Sequence, residues 1–368
     1  MKVTIERAQL AKSLAHVHRV VERRNTIPIL ANVLLRAGKS SVELKATDLD
    51  LEIVETAAAE SKQTGSTTVP AHMIHDIVRK LPEGAQVELQ SAADGTQLQV
   101  RAGRSKFTLQ ALPETDFPDL AAGEMAHSFS IAAADLKRLI DRTQFAISTE
   151  ETRYYLNGIY LHAIEDKLRA VATDGHRLAQ AEIKAPKGTK GMPGIIIPRK
   201  TVAEVQRLID DAGEEVKVEL SATKIRFTLG NAVLTSKLID GTFPDYGRVI
   251  PASNDKTLVV DKAEFMSAVD RVSTVSSERG RAVKLALTDG KLTLSVINPD
   301  SGSATEELEV EYGSEALDIG FNGRYLLDIL GQIEGEKARL KLADPGSPTL
   351  LEDMEAAGAL YVLMPMRV

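Results

Sequence analysis

The chain has 368 residues, a formal net charge of -7 and 43% hydrophobic residues, and at roughly 100 to 200 residues per domain this length predicts two or three globular domains. It contains no cysteine, which excludes disulfides, thiolate metal sites and a cysteine nucleophile. No apolar run is long enough to span a membrane, and the first residues lack the apolar core of a signal peptide, so we expect a cytoplasmic protein.

Helical and strand-like patterns alternate from the start of the chain. Two predicted helices have apolar residues at helical spacing. The first series is Leu10, Leu14, Val17 and Val21, and the second is Ile74, Ile77, Val78 and Leu81. Between the helices, segments that alternate apolar and polar residues predict half-buried antiparallel strands, and Asp-Gly pairs predict the hairpins that join them. Each domain is therefore predicted to consist of a strand, a helix and three strands, repeated once.

The same order of segments occurs three times. The segment around Asp48 recurs around Asp174, and the segment around Phe117 recurs around Phe243, each time 126 residues later. A third and weaker copy begins at 258–265. Because a repeat of this kind indicates one supersecondary unit used several times, we predict an α+β fold built from three similar domains. The predicted boundaries are 1–122, 128–250 and 256–368.

Few residues suggest catalysis or metal binding. Asp48 and Asp50 are predicted to share one face of a strand, as metal-binding carboxylates of nucleotidyl-transfer enzymes do. The second repeat has His176 in place of the second aspartate, and no further carboxylate motif supports the pair. His72 and His75 lie three residues apart on a predicted helix but lack a third ligand at a recognisable spacing. We therefore expect no cofactor, no metal and no enzymatic activity.

Positive charge is concentrated in the predicted helices. Net charges of +3, +1, +1 and +2 belong to the four predicted helical windows of the first two copies, 8–24, 71–80, 134–142 and 198–209. The two predicted helices of the third copy, 262–272 and 322–333, have a summed charge of zero. The six windows total +7, which leaves -14 for the rest of the chain. Lysine and arginine are good helix formers that solvate outer faces, but helices of this charge could also form one basic surface that contacts phosphates without reading bases. Both interpretations stay open.

Five motifs resemble those of the bacterial DNA polymerase III β-subunit family, the β sliding clamps, and they follow one another in that family's order over the whole chain. They lie at 22–30, 153–158, 172–178, 243–246 and 364–367. The resemblance implies a non-catalytic processivity factor, a homodimer of three-domain protomers closed head to tail into a ring, with helices lining the hole and sheets outside. It implies double-stranded DNA bound without sequence preference. The implied docking partners are the replicative polymerase α subunit, the clamp loader, and repair and translesion polymerases, with no membrane.

The resemblance also assigns residues to three surfaces. DNA contacts are assigned to Arg24, Arg79, Arg138, Arg142, Tyr154, Lys200 and Arg207. A groove for short linear peptides between domains two and three is assigned to Leu156, Thr173, Gly175, His176, Arg177, Leu178, Pro244, Arg248, Val249, Asn322, Tyr325, Val362, Met364, Pro365, Met366 and Arg367. The dimer interface is assigned to Phe107 and Leu109 of one protomer and to 271–277, with Arg271 and Val275, of the other. Taken alone, the two methionines are more typical of strand packing.

Two other functions stay open from the sequence. The chain could be an enzyme that acts on nucleic acid through Asp48 and Asp50, in which case the pure protein would cleave or synthesise DNA in the presence of a metal. It could also be a monomeric scaffold whose helices never contact DNA, and sedimentation of the pure protein would test that alternative.

Overall fold

The computed structural model of the protein describes residues 1–24, 26–120, 123–276 and 282–368. These residues form two compact units of α-helices and antiparallel sheets. The first unit comprises Met1–Leu136, Pro186–Thr189 and Ala203–Leu238, and the second comprises Lys137–Ala185, Lys190–Val202 and Ile239–Val368.

Six α-helices lie in the described residues, and each directly follows a strand. They are α1 (Arg7–Val17), α2 (Ala71–Lys80), α3 (Ala133–Asp141), α4 (Arg199–Leu208), α5 (Lys262–Ser273) and α6 (Gly323–Leu330). The predicted apolar stripes are confirmed in the first two, since Leu10 and Leu14 of α1 and Ile74 and Val78 of α2 are buried. No helix in these described residues is long and apolar enough to cross a membrane.

The first helix is shorter than the sequence indicated. α1 ends at Val17, a 3-10 turn follows at His18–Val20, and the chain then bends away from the helix. The His18 ring nitrogen Nδ1 lies 2.8 Å from the Leu14 carbonyl oxygen, where the helical hydrogen bonds stop. Much of the positive charge predicted for the first helix, including Arg23 and Arg24, therefore lies beyond it.

Twenty-five strands occur in the described part of the chain, in three successive groups. The first group is β1 (Lys2–Glu6), β2 (Asn32–Ala37), β3 (Ser41–Thr47), β4 (Leu51–Ala58), β5 (Glu60–Gln63), β6 (Gly65–Pro70), β7 (Gln86–Ser91), β8 (Gln97–Ala102) and β9 (Ser105–Gln110). The second is β10 (His127–Ala132), β11 (Gly158–Ile164), β12 (Lys167–Thr173), β13 (Arg177–Lys184), β14 (Ile195–Pro198), β15 (Glu215–Leu220), β16 (Lys224–Leu229) and β17 (Ala232–Lys237). The third is β18 (Lys256–Asp261), β19 (Ala282–Thr288), β20 (Lys291–Asn298), β21 (Gly302–Glu309), β22 (Leu317–Asn322), β23 (Lys337–Leu342), β24 (Thr349–Asp353) and β25 (Ala359–Leu363).

The predicted order of a strand, a helix and three strands is confirmed, and it occurs twice in each group. The short strand β5 is the one addition to this order among the described residues. Burial alternates along most strands, as in Lys2–Glu6, so the inner face of each sheet carries Val, Leu and Ile under a helix.

Strand pairing crosses the predicted domain boundaries. The first unit contains a five-stranded sheet, β5-β1-β7-β8-β9, and an eight-stranded sheet, β10-β15-β16-β17-β4-β3-β2-β6. The second unit contains an eight-stranded sheet, β14-β11-β12-β13-β25-β24-β23-β18, and a four-stranded sheet, β21-β20-β19-β22. Each eight-stranded sheet consists of two four-stranded halves. In each half the strand at the junction is the last of the three strands that follow a helix, which we call the third strand. Leu234 of β17 thus lies opposite Ile53 of β4, and Val362 of β25 lies opposite Leu178 of β13.

The repeated Thr-Asp motif forms the same loop in both copies. The Asp48 carboxylate accepts hydrogen bonds from the backbone amides of Asp50 and Leu51, at 3.0 and 2.7 Å. The Asp174 carboxylate accepts from the amides of His176 and Arg177, at 2.9 and 3.0 Å. The prediction that Asp48 and Asp50 alternate along a strand is wrong, because the pair lies in the loop between β3 and β4, where Asp48 stabilises the turn by bonding the backbone.

Candidate partner-binding groove

An apolar pocket of about 160 Å³ lies in the second unit, beside the pairing of β13 with β25. Its lining consists of Leu156, Thr173, Gly175, Arg177, Leu178, Pro244, Asp245, Tyr246, Val249, Val362 and Met364. Nine of these eleven residues belong to the groove assigned from the sequence. The floor is a buried cluster that includes Leu156, Leu178 and Val362, so the walls of the pocket rest on well-packed core.

Asp245 and Tyr246 are the two lining residues that the sequence assignment omitted. They belong to the motif at 243–246, of which the resemblance assigns only Pro244 to the groove. The motif is therefore a sequence signal for these two residues. The sequence does not show that the chain after Phe243 runs along the pocket.

Glycine is required at position 175, in the loop 174–176 that joins β12 to β13 at the edge of the pocket. Gly175 has a φ of +89°, a region that L-residues rarely adopt, and a Cβ added there would lie 2.6 Å from the Arg153 guanidinium. The Gly175 amide donates to the Thr173 hydroxyl at 3.1 Å, and that hydroxyl donates to the Arg177 carbonyl at 2.7 Å. These two hydrogen bonds fix the conformation of the loop at this edge of the pocket, and the positive φ of Gly175 allows it.

The C-terminal segment forms the other side of the pocket. β25 ends at Leu363, and the Met364 amide donates to the His176 carbonyl at 2.9 Å. The Met366 amide then donates to the Gly320 carbonyl at 2.7 Å. Met364 is 38% exposed and Met366 is 36% exposed, so both lie beyond the strand as partly exposed side chains, which suits a surface that accepts varied apolar groups.

Seven residues assigned to the groove do not line the pocket, namely His176, Arg248, Asn322, Tyr325, Pro365, Met366 and Arg367. The His176 ring stacks on Tyr325, with centroids 6.2 Å apart. Asn322 caps α6, its side-chain oxygen accepting from the Arg324 and Tyr325 amides at 3.0 and 3.3 Å. Arg248 is exposed and pairs with Asp245.

The Arg177 side chain connects the loop 174–176 to α6. Its guanidinium donates to Asp174 at 3.1 Å, to Asp328 of α6 at 2.6 Å and to the Phe145 carbonyl at 2.7 Å. It also lies 4.2 Å from the centre of the Tyr325 ring. Because the side chain is only 10% exposed, these contacts satisfy a nearly buried charge and fix several parts of the groove relative to one another.

At the first junction between half-sheets, where β17 pairs with β4, the positions equivalent to the groove floor are charged. Lys45 and Glu52 lie 126 residues before Val171 and Leu178 of the groove floor. The Lys45 ammonium lies 3.0 Å from Glu52 and 2.5 Å from Asp119, and Glu52 also accepts from the Leu120 amide at 3.1 Å. The repeat therefore places an ion pair at the first junction where the second has apolar floor.

The residues assigned to DNA contact are mostly exposed. Arg24, Arg79, Arg138, Tyr154 and Arg207 are exposed, and Lys200 is partly exposed. Arg79 pairs with Asp76 on its own helix at 3.0 Å, and Arg207 pairs with Glu204. Arg142 differs, because its side chain is 5% exposed and lies 2.8 Å from Glu334. The geometry therefore favours a structural role for Arg142 over a phosphate contact.

The residues assigned to the dimer interface lie at or near free sheet edges. Phe107 and Leu109 are on β9, where Phe107 is 37% exposed and Leu109 is buried. Arg271 pairs with Glu306 of β21 at 2.5 Å, and the Val275 carbonyl accepts from Asn298 at 2.9 Å. The rest of the assigned segment, from residue 277, lies outside the described residues.

The two histidines considered for a metal site are engaged in packing. The His72 ring nitrogen Nε2 lies 2.9 Å from the Val21 carbonyl oxygen, and the His75 ring stacks on His18 with centroids 3.8 Å apart. Burial lowers the pKa of His18 to about 4. These contacts tie α2 to the segment after α1.

Family models of the DNA polymerase III beta subunit match nearly the whole chain. The N-terminal, central and C-terminal domain models match residues 1–121, 130–245 and 247–367. The chain therefore belongs to the DNA polymerase III beta-subunit family, whose members are accessory subunits of that polymerase.

Relatives over the full length carry the name beta sliding clamp. The chain is 54% identical to the one from Caulobacter vibrioides and 40% identical to the one from Escherichia coli, with complete coverage of both chains in each case. Among solved structures, the DnaN sliding clamp of Bartonella birtlesii bound to griselimycin is 55% identical, covered completely, with a TM-score of 0.97. A clamp from Pseudomonas aeruginosa bound to griselimycin is 42% identical with a TM-score of 0.96.

Replacing Arg177 with Met should lower the free energy of unfolding by about 2 to 4 kcal/mol, because Asp174 and Asp328 would lose their buried counter-charge. Arg248→Met is the matched control, since its ion pair is exposed and should change stability by less than about 0.5 kcal/mol. Urea unfolding followed by circular dichroism compares the two variants. Equal midpoints would show that the Arg177 contacts do not stabilise the fold.

Proposed function

We propose that two copies of this chain close head to tail into a ring around duplex DNA and tether polymerase and repair proteins through the groove. The observation that carries this proposal is the pairing of third strands at both junctions, which leaves two matching strands, β9 and β21, each paired on one side only. The three domains are proposed at 1–122, 128–250 and 256–368, and the three matched family models support this division.

The two edge strands, β9 and β21, follow from the repeat. The third strand of one half-sheet pairs with the third strand of the next at β17 with β4 and at β25 with β13. The same rule applied to the remaining halves pairs β9 with β21 of a second copy, and each of these strands is the edge of its sheet. A free edge of this kind offers unpaired backbone groups to a partner strand, and because each copy has one of each edge, two copies suffice to close.

The two edges carry opposite charges. Basic residues on or beside β9 are Arg101 of β8, Arg104 and Lys106, and acidic residues of β21 are Glu306, Glu307 and Glu309. A cleft of about 530 Å³ lies beside β9, with Met73, Ile77 and Phe107 in its lining. These apolar side chains offer a site for the region after α5 of the partner copy, as the sequence assignment expects.

DNA is proposed to pass along the helices without base recognition. The windows around the helices total +7 while the remainder carries -14, so a ring with helices inward would place positive charge near phosphates and negative charge outside. Non-specific phosphate contacts of this kind attract DNA strongly but carry no sequence information. Closure around the duplex would then hold the protein on DNA topologically and allow it to slide.

The groove is proposed to take an apolar side chain of a short linear peptide. Its volume of about 160 Å³ and its walls of Leu, Val, Pro and Met suit one such side chain. The proposed partners are the replicative polymerase α subunit, the clamp loader, and repair and translesion polymerases. We also propose that griselimycin, which occupies two relatives, binds this groove.

A catalytic role is not supported at the aspartates considered in the sequence. Asp48 accepts from two backbone amides, and Asp50 pairs with Lys237 at 2.8 Å. Neither carboxylate is arranged with the other around a common point, which a two-metal mechanism would need. We therefore propose a non-catalytic function.

Replacing Phe107 with Ala should weaken the proposed dimer by about 2 kcal/mol or more at each interface, since a partly exposed aromatic at an interface centre is a typical hot spot. Ile164→Ala is the matched control, because Ile164 is 39% exposed and is the last residue of β11, away from β9. Analytical ultracentrifugation over a dilution series measures both. If Phe107→Ala dimerises as tightly as wild type, the interface lies elsewhere.

A labelled protein loaded on nicked circular DNA by a clamp loader should stay bound through gel filtration and leave once a restriction enzyme linearises the circle. The physical reason is that a closed ring is released only at a DNA end. Heat-inactivated restriction enzyme is the control. Equal retention on circles and on linear DNA would mean that binding is not topological.

Replacing Val249 with Arg should weaken griselimycin binding at least about tenfold, because a charged side chain at the pocket rim would be desolvated without a partner. Val249 is 47% exposed, so the unfolding midpoint should not change. Isothermal titration calorimetry measures binding, with Ile164→Arg as the control. Unchanged affinity would place griselimycin in another site.

A further inference from the structure

The wall of the groove at 243–249 lies outside any regular sheet. In this segment Phe243 is buried and Tyr246 is half-buried, while the remaining residues are exposed. The segment includes a single 3-10 turn, Tyr246–Val249. Pro244 and Val249, which line the pocket, are therefore positioned through two aromatic side chains.

Both aromatic side chains are anchored on β11 and β12. The Phe243 ring stacks on Tyr160 with centroids 4.8 Å apart and planes 6° from parallel. The Tyr246 hydroxyl lies 2.8 Å from Nε2 of His162 and 3.1 Å from the Arg169 guanidinium. Arg169 is in turn held by the Glu182 carboxylate at 2.9 Å.

The hydrogen-bond roles follow from the chemistry of these groups. A guanidinium can only donate, so Arg169 donates to the Tyr246 oxygen. The Tyr246 hydroxyl is then free to donate to Nε2 of His162, which accepts only when that nitrogen carries no proton. The chain of donors runs from Arg169 through Tyr246 to His162.

We propose that Tyr246, His162 and Arg169 are positioning residues for the groove, which hold its outer wall against β11 and β12 so that Pro244 and Val249 enclose an apolar side chain. This inference rests on the proposed function of the groove. His162 and Arg169 lie outside the pocket lining, so their effect is transmitted through Tyr246 and the turn that carries the wall.

The arrangement makes groove binding sensitive to acid. Burial lowers the pKa of His162, and the Arg169 charge lowers it further, so the ring is neutral near neutral pH. Protonation at lower pH leaves Nε2 a donor, and the Tyr246 hydroxyl then loses its acceptor. The charged or titratable groups that face this network are Tyr160 on β11, Lys167 and Arg169 on β12, Glu182 on β13 and Tyr246 in the wall.

The test is calorimetric titration of the full-length protein with griselimycin from pH 8 to pH 4.5. Tyr246→Phe keeps the ring but removes the hydroxyl, and near neutral pH it should bind about threefold to tenfold more weakly, as expected for one lost hydrogen bond. His162→Gln keeps an acceptor and should bind like wild type, whereas His162→Leu should bind like Tyr246→Phe. Wild type should also lose affinity in a step below pH 6.5 that Tyr246→Phe and His162→Gln lack.

Tyr312→Phe is the matched control, because its hydroxyl donates to the Glu315 carbonyl at 2.6 Å, outside the groove lining. It should bind like wild type and keep the acid step. Wild-type affinity and an unchanged acid step in Tyr246→Phe would overturn the inference while the groove itself stands. A wild-type protein that does not bind griselimycin at any pH would overturn the proposed groove and this inference together.

Discussion

The pairing of one half-sheet with the next through their third strands is the constraint on which the rest of the structure depends. It joins β17 to β4 and β25 to β13, and backbone hydrogen bonds across these pairs make each eight-stranded sheet continuous across a predicted domain boundary. For the same reason the central repeat is divided between the two compact units. The groove lies beside one of these pairs, so Leu178 and Val362 of its floor are positioned by the backbone pairing of the sheet.

The two junctions show how one repeated frame gives two different surfaces. Both have the same turn, in which an aspartate accepts from two backbone amides, and in both the strand that follows pairs with the next half-sheet. At the first junction Lys45 and Glu52 form an ion pair, and at the second the matching residues are Val171 and Leu178. Apolar side chains there leave a floor on which another apolar group can be buried, while an ion pair satisfies itself.

Several features were predictable because they depend on local periodicity. The order of helices and strands and the buried stripes of α1 and α2 follow from patterns that are visible over ten to twenty residues. The repeat follows from the similarity of segments 126 residues apart. The end of α1 was not predictable in this way, because Val21 continues the apolar spacing beyond Val17 while the backbone turns into a 3-10 segment. The assignment of Arg142 to DNA failed to anticipate its burial, since its partner Glu334 lies far away in sequence.

By itself, the sequence determined the α+β fold class and the threefold repeat, because the spacing of segments within a repeat carries that information along the chain. The family and the assignment of nine of the eleven residues that line the pocket came instead from motifs that resemble those of the β-subunit family. Only the tertiary structure decided which strands pair across boundaries, which leaves β9 and β21 as edges. It alone brought Tyr246 to His162 and Arg169, and Arg177 to Asp328, from positions 77 to 151 residues apart. The physical reason is that hydrogen bonds and ion pairs act over a few ångströms, so distant residues acquire a role only after strand pairing has placed them side by side.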